Sequence, residues 1–463
     1  MLDEAGIARG VVFLDYLDCS LRVVKADAVV VASGGLGVLY RRSTNSSFCT
    51  GAANGRLFLQ GMHYANGEFI QIHPTAIPGP DKYRLISESA RGEGGRVWVY
   101  GDASKQIETP DGRKIPCGET GKPWYFLEEL YPAYGNLVAR DIAAREILKV
   151  CMMGLGINAG LQVYLDVSHL PPDRQKKLAA VLDIYEKYTG EDPRRFPMRV
   201  FPGVHYSMGG AWVDWPAAEA PDRERRYRQM TNLPGLFATG ECDFQYHGAN
   251  RLGANALLSC LFGGLTTGVE VVRYLDGLAS SYQDVPGIVF DQALSVEEAY
   301  KRDLLNRSGK ENSFHLHDEM GMWMIQNVTV SRNNHDLQLT LDKLKELRER
   351  FKQIQIHDTA PVWNQALIHA LQFRPMLELA MAITKSALLR NESRGAHYKP
   401  EFPQRNDAEW LKTTVARYAG QEPDIFYTPV DLTYLRPYKR DYTQAEEATP
   451  QLENLPAHVK LPI

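Results

Sequence analysis

The sequence contains no CxxC pair. Its six cysteines, Cys19, Cys49, Cys117, Cys151, Cys242 and Cys260, are scattered singly through 463 residues. That spacing argues against a zinc knuckle, an iron–sulfur ligand run and a disulfide framework, and it predicts a reducing compartment. Neither sign of charge dominates: 52 basic and 56 acidic side chains give a net charge of −4. A general attraction to nucleic acid is therefore not expected. The basic stretch 223–228 is short and mixed with acids, and reads as a solvated loop. No uninterrupted apolar run reaches about 18 residues, so no transmembrane segment is expected, and membrane contact would go through a partner. The opening MLDEAGIARG lacks the apolar stretch of a secretory signal. Also missing is a GxGxxG turn after an early strand, the place where a dinucleotide-binding domain normally carries it.

What is present suits a folded chain of two to four domains, 44% hydrophobic and 23% charged. Val11–Tyr16 and Leu21–Val24 read as a hairpin across a turn at 17–20. The apolar run Ala28–Ala32 ends in Ser33-Gly34-Gly35, which reads equally as a buried parallel strand opening on a ligand crevice and as a plain strand-to-loop turn. Residues 51–67 look helical, and Glu68–His73 looks like a strand. Helices are expected near 137–153 and 174–188, with a polar insertion at 102–122. A second strand running into a glycine turn recurs at Gly235–Glu241, so one nucleotide-binding domain interrupted by a cap is expected. Leu337, Leu341, Leu344 and Leu347 recur at spacings of three and four, a packing stripe without chemistry.

Three clusters gather polar groups that a core tolerates only when they are paired. One joins Gln71–Thr75 to the stretch LISESARGEGG at 85–95. The second is Ala139-Arg140-Asp141. The third joins His205–Gly210 to His247–Asn255. Singly, each has a plain explanation: a loop histidine, a surface ion pair worth about 0–1 kcal/mol, glycines in turns. Together, arginines and histidines of this kind grip carboxylates through charge-assisted bonds, and the pattern suits a small dicarboxylate. The neighbouring glycines let backbone approach a flat ring or a phosphate.

These strings resemble a known family. GEFIQIHPTAIPG, LISESARGEGGRVW, NLVARDIAAREI, VHYSMGG, PGLFATGECDFQYHGANRLGANALL and RNESRGAHY resemble, in this order, the flavoprotein subunit of succinate dehydrogenase and fumarate reductase. Their wording is that of a form found in some Gram-positive and related bacteria. The resemblance implies FAD as cofactor, and as partners an iron–sulfur subunit and a membrane-anchor cytochrome b subunit. It places the chain peripherally on the cytoplasmic side of the plasma membrane. It also implies an α/β fold: an incomplete Rossmann-like FAD domain (1–73 and 201–275), an α+β capping domain (74–200), a helical bundle domain (276–398) and a small C-terminal domain (399–463). The tail LRPYKRDY resembles subunits of the membrane complexes. The family's GxGxxG turn and its flavin-linking histidine do not occur here. A truncated chain that binds FAD weakly or not at all by itself is therefore the expectation.

Carried over by resemblance, Arg140 matches the proton-shuttling arginine, and Glu88 with Arg91 matches its relay. Arginine is normally a fixed cation, so that role needs a relay of neighbours. His73, Ser87, His205 and Arg251 match the groups that hold the two carboxylates of succinate or fumarate, Ser87 standing where threonine is frequent. Ser33, Gly34 and Gly35 fall on the FAD domain's glycine turn. Glu241 matches the acid that contacts the FAD ribose, and Asn255, Ala256 and Leu257 the stretch beside the flavin. Ala52 replaces an aspartate of many relatives, and Ala256 a serine. No metal ligand is expected. The resemblance leaves open fumarate reduction, L-aspartate oxidation and a non-catalytic truncated product.

Overall fold

Several long helices of this chain start where an asparagine precedes an apolar stripe. The side chains of Asn312, Asn333 and Asn364 accept hydrogen bonds of 2.8 Å from the backbone N–H groups of Phe314, Asp336 and Leu367. Each bond satisfies one of the donors that a helix N-terminus leaves free. The helices so started are Ser313–Asn327, Asn334–Phe351 and Gln365–Leu389. Leu337, Leu341, Leu344 and Leu347 all lie at 2% exposure or less, so the stripe is packing, as its spacing predicts. These and the following observations come from a computed structural model, which describes residues 1–217, 220–433, 437 and 442. The tail LRPYKRDY lies outside the described residues, apart from Pro437 and Tyr442.

The described chain divides into two compact units, one of Met1–Ile70 with Tyr206–Pro429, the other centred on Gln71–His205. In the first unit the expected hairpin forms, Gly10–Leu14 against Leu21–Lys25 with Gly10 opposite Lys25. Val29–Val31 and Leu236–Ala238 pair in parallel, Val29 beside Leu236, so both strand-and-glycine signals belong to one sheet. A separate four-stranded sheet has the order Gly210–Ala211, Tyr64–Ala65, Lys412–Arg417, Asp424–Pro429.

The second unit is built on a six-stranded sheet ordered Pro123–Trp124, Arg96–Tyr100, Val163–Asp166, Met198–Ser207, Ile70–Ile77, Arg84–Leu85. Val97, Val99, Leu165, Met198 and Val200 from its strands are buried together with Ile142, Ala143, Ile147 and Val150 of the helix Arg140–Val150. That core fixes the helix whose first residue is Arg140.

Several sequence expectations need correction. The helix expected over 51–67 runs only from Ala52 to Leu59; Gly61 at φ +101° turns the chain out, and Tyr64–Ala65 is a strand. The strand expected at 68–73 runs from Ile70 to Ile77. The helix expected to reach 153 ends at Val150 in a single wide turn, Cys151–Leu155, which Gly154 closes at φ +78°. Residues 174–188 split into Pro172–Lys177 and Ala179–Thr189 at Leu178. The polar insertion at 102–122 contains a β-hairpin, Asp102–Glu108 with Lys114–Cys117. Two helices, Asn255–Asp276 and Gln365–Leu389, are long and apolar enough to cross a bilayer by length and composition. The latter is mostly buried inside its unit. The former carries a buried Glu270 paired with Arg223 and Arg273.

Candidate functional site

In the second unit, strand Ile70–Ile77 is buried along its whole length. Alternation along a strand puts Gln71, His73 and Thr75 on one face. Arg140 reaches the same strand: its Nη1 donates to Gln71 Oε1 at 3.1 Å, and its Nε donates to Glu88 Oε2 at 2.8 Å. Glu88 Oε1 accepts from Arg91 Nη2 at 2.6 Å. One carboxylate thus joins two guanidinium groups that are 8% and 2% exposed, while Glu88 itself is about one-third exposed. Arg91 also donates to the carbonyl oxygens of Asn136 and Val138. Burial, and then the charge of Arg140, pull Arg91 below its ordinary value, although Glu88 opposes them.

His73 is fully buried. The backbone N–H of Thr75 donates to its Nδ1 at 3.3 Å, and an N–H can only donate, so the neutral ring carries its proton on Nε2. Thr75 in turn donates its hydroxyl to the carbonyl oxygen of Ile86 at 2.7 Å. His205 stacks edge-on against His73, ring centres 5.1 Å apart. Ala76 pairs with Leu85 and Ile77 with Arg84, and the Ile86 N–H donates to the Thr75 carbonyl. Continued by one residue, that register sets Ser87 opposite Pro74. Ser87 Oγ accepts from Ser89 N and Ser89 Oγ at 3.3 and 2.9 Å. Of the expected substrate and proton-transfer residues, six (His73, Ser87, Glu88, Arg91, Arg140, His205) therefore belong to this unit.

Arg251 belongs to the first unit. Its guanidinium lies over the Tyr206 ring at 4.4 Å, and the residue is 4% exposed. His247 Nε2 stands 3.2 Å from both Tyr206 Oη and Ser259 Oγ. Burial and the Arg251 charge push His247 down to about 4, so it is neutral at physiological pH.

The same unit holds the expected cofactor residues. Ser33 and Gly34 follow strand Val29–Val31, and Gly34 has φ +73°. A Cβ on Gly35 would sit 2.1 Å from Glu241 Oε1, so only glycine leaves room for that carboxyl. Glu241 accepts from the Ser207 N–H at 3.0 Å and from Asn45 Nδ2 at 3.3 Å. Burial pushes it up to about 7 against those two bonds and Arg251. The helix Asn255–Asp276 begins after Ala254 at φ +64°, with no side chain capping its first N–H groups. Asn255 and Ala256 are half-buried there and Leu257 is exposed. A glycine turn, a carboxyl able to accept hydroxyl protons and a helix N-terminus with donors to spare fit the ring, ribityl and phosphate chemistry of FAD. Sequence reasoning placed Gln71, Tyr206, Ser207 and His247 in its polar clusters without giving them these contacts, and passed over Asn45. For Gln71 the signal was there, two positions from His73 on the same strand face.

These features define an FAD-binding protein of the α/β class, and residues 1–257 match the FAD binding domain family. Residues 317–442 match the fumarate reductase flavoprotein C-terminal family. The chain is 50% identical over 452 residues to the succinate dehydrogenase flavoprotein subunit of Bacillus subtilis, covering 97% of this chain and 72% of that one. It is 33% identical over 461 residues to the fumarate reductase flavoprotein subunit of Escherichia coli, covering 98% and 72%. Its fold matches a solved Escherichia coli quinol fumarate reductase with a TM-score of 0.80 at 31% identity, over 96% of this chain and 72% of that one. The chain belongs to the flavoprotein subunits of the succinate dehydrogenase and fumarate reductase family, whose cofactor is FAD.

Proposed function

We propose that this chain oxidises succinate to fumarate, with Arg140 receiving the proton that leaves one methylene carbon. FAD, when bound, supplies the acceptor for the hydride that leaves the other. The observation that carries the reading is the bonded series Gln71–Arg140–Glu88–Arg91. Arginine serves as a base only if its own proton has somewhere to go, and Glu88 Oε2 at 2.8 Å is that acceptor. Glu88 is about one-third exposed and opens the path onward to solvent. Arg91 on the other carboxylate oxygen keeps Glu88 oriented, and Gln71 holds the far side of the Arg140 fork.

His73, with its proton on Nε2, offers a donor to a substrate carboxylate, and Ser87 and His205 supply further donors in the same unit; Arg251, in the first unit, carries a fixed charge of the kind a carboxylate takes. Holding the diacid beside Arg140 makes the transfer effectively unimolecular. The higher identity to a succinate dehydrogenase subunit than to a fumarate reductase subunit supports oxidation as the working direction. Both relatives are named as subunits. Assembly with an iron–sulfur subunit and a cytochrome b anchor, peripherally on the cytoplasmic side of the plasma membrane, follows from the same reading.

The test is Arg140→Gln, assayed for succinate-dependent dye reduction in the purified complex. Turnover should fall at least about 10²-fold, as for loss of a proton-transfer group, at unchanged FAD content. Near-normal turnover overturns the proton role.

A further inference from the structure

The string RNESRGAHY has no part in the chemistry above, yet its side chains form an extensive buried charge network within the first unit. Arg390, 1% exposed, uses all five of its N–H donors: on Glu68 Oε1 (2.6 Å), Glu392 Oε1 (2.8 Å), the Trp410 and Lys412 carbonyl oxygens (2.9 Å each) and Thr414 Oγ1 (2.8 Å). Glu392, fully buried, also takes a two-pronged bond from Arg394 at 2.7 and 3.0 Å, and Arg394 continues to Asp407.

Between Arg394 and His397 the backbone closes a tight turn by reciprocal N–H to carbonyl bonds of 2.8 and 3.0 Å. His397 pins the far end of the turn. Its Nδ1 accepts from Arg332 at 2.7 Å, so its Nε2–H donates to the Arg390 carbonyl at 3.0 Å. The turn is therefore clamped by side chains at both ends. Burying this much charge is costly, and replacing such groups by apolar ones is often neutral or stabilising. Fold stability alone is a weak reason for the network, which points to positioning as its use.

The middle of the turn touches one thing of note. The Ala396 N–H donates to the Ala249 carbonyl at 2.9 Å, and a Cβ on Gly395, which has φ +53°, would lie 2.4 Å from the same oxygen. Ala249 stands two residues before Arg251 and two after His247. Ala396 also packs with Phe69, Tyr206 and Met208, and Tyr206 is the ring under the Arg251 guanidinium.

We propose that the clamped turn Arg394–His397 positions the loop 247–251, through Ala396 N–H to Ala249 O, so that Arg251 presents its charge to a dicarboxylate. Gly395, Arg394 and His397 are then positioning residues, and the proposal rests on the dicarboxylate reading given above. A network of multiply bonded buried charges holds its geometry more narrowly than apolar packing does, and a fixed guanidinium benefits from such narrowness.

The test uses the purified FAD-containing complex, with two variants and two measurements. Gly395→Ala places a methyl against the Ala249 carbonyl; Arg394→Lys keeps the charge, loses the two-pronged bond and sits at a partly exposed position that tolerates the change. Malonate titration reads dicarboxylate affinity, and backbone hydrogen exchange reads the segment 247–256 in the absence of any ligand. Both variants should exchange faster in that segment and bind malonate about tenfold more weakly, the loss expected for one misaligned charge-assisted contact. The KM for succinate should rise with kcat nearly unchanged, at wild-type FAD content. A folded Gly395→Ala protein with unaltered exchange and unaltered malonate affinity overturns the proposal. Should the wild type bind no dicarboxylate while the variants still exchange faster, the backbone tie stands and the dicarboxylate reading falls. General loss of protection in both variants, rather than in 247–256, overturns the positioning role in favour of a purely structural one.

Discussion

Glu241 titrates far from the ordinary carboxylate range, and the sign of its effect is fixed by burial. Unfolded, it loses its proton near 4.5; folded, it keeps it up to about 7. Between those values the folded chain holds an extra proton, so stability falls as pH rises through the window. Asp243 and Glu378, also pushed up to about 7 by burial, act in the same sense. Glu241→Gln should remove one share of that slope, so its urea midpoint should drop less than the wild type's between about pH 5 and about pH 8. An identical drop would show that Glu241 is not the titrating group. Beside it, Gly35→Ala drives a methyl into the Glu241 carboxyl. Overpacking of this kind costs about 1–3 kcal/mol, and the variant in the purified complex should carry less flavin per protein, read from the ratio of visible to ultraviolet absorbance. Wild-type flavin content would mean that the glycine turn and Glu241 do not form the cofactor cradle.

Among the elements, the helix Asn255–Asp276 stands out because one side is a row of exposed apolar residues. Leu257, Leu258, Leu261, Leu265, Val269 and Val272 are 54–72% exposed. Such a patch on a folded chain favours association. Leu265→Glu should lower the apparent mass at high concentration in light scattering and shift unfolding stability by no more than about 0.5 kcal/mol, since the side chain touches little. A larger loss would mean that this face is packed. What the sequence revealed of the elements follows the same logic of local against distant causes. The leucine stripe at 337–347 and the two strand-and-glycine turns were legible because their signals are periodic or local. The strand Tyr64–Ala65 was not, since its pairing with Gly210–Ala211 and Lys412–Arg417 comes from chain far away in sequence. Helix-like composition over 51–67 concealed the break at Gly61. In the site, Glu88 and Arg91 were named together only through the family resemblance, and the structure pairs them three residues apart. The bond from Gln71 to Arg140 joins positions separated by 69 residues, and nothing local announces it.

For the whole molecule, the scattered cysteines have a measurable consequence. All six are free thiols; Cys49 and Cys260 are partly exposed, whereas Cys19, Cys117, Cys151 and Cys242 are buried. Burial also pushes Cys151 and Cys242 up to about 12, away from the reactive thiolate. A thiol reagent should therefore titrate two groups rapidly and the other four only on unfolding, and reductant should leave the unfolding midpoint where it is. Four or more fast groups would contradict the burial pattern. Each of the two units has its own core and its own polar cluster: the bonded series Gln71–Arg140–Glu88–Arg91 in 71–205, and Glu241 beside its glycine turn in the rest.

The five bonds of Arg390 also say something about synthesis. Its partners include Glu68 and Thr414, and those two also bond to each other at 2.7 Å, so this knot joins the first and the last thirds of the chain. A nascent polypeptide leaving the ribosome cannot tie it until position 414 has emerged. Until Arg390 emerges Glu68 lacks the cation that makes its burial tolerable, and the segment around it stays exposed to chaperones and proteases. Closure of the first unit is consequently a late event, governed by the length already translated rather than by the order in which its strands are made.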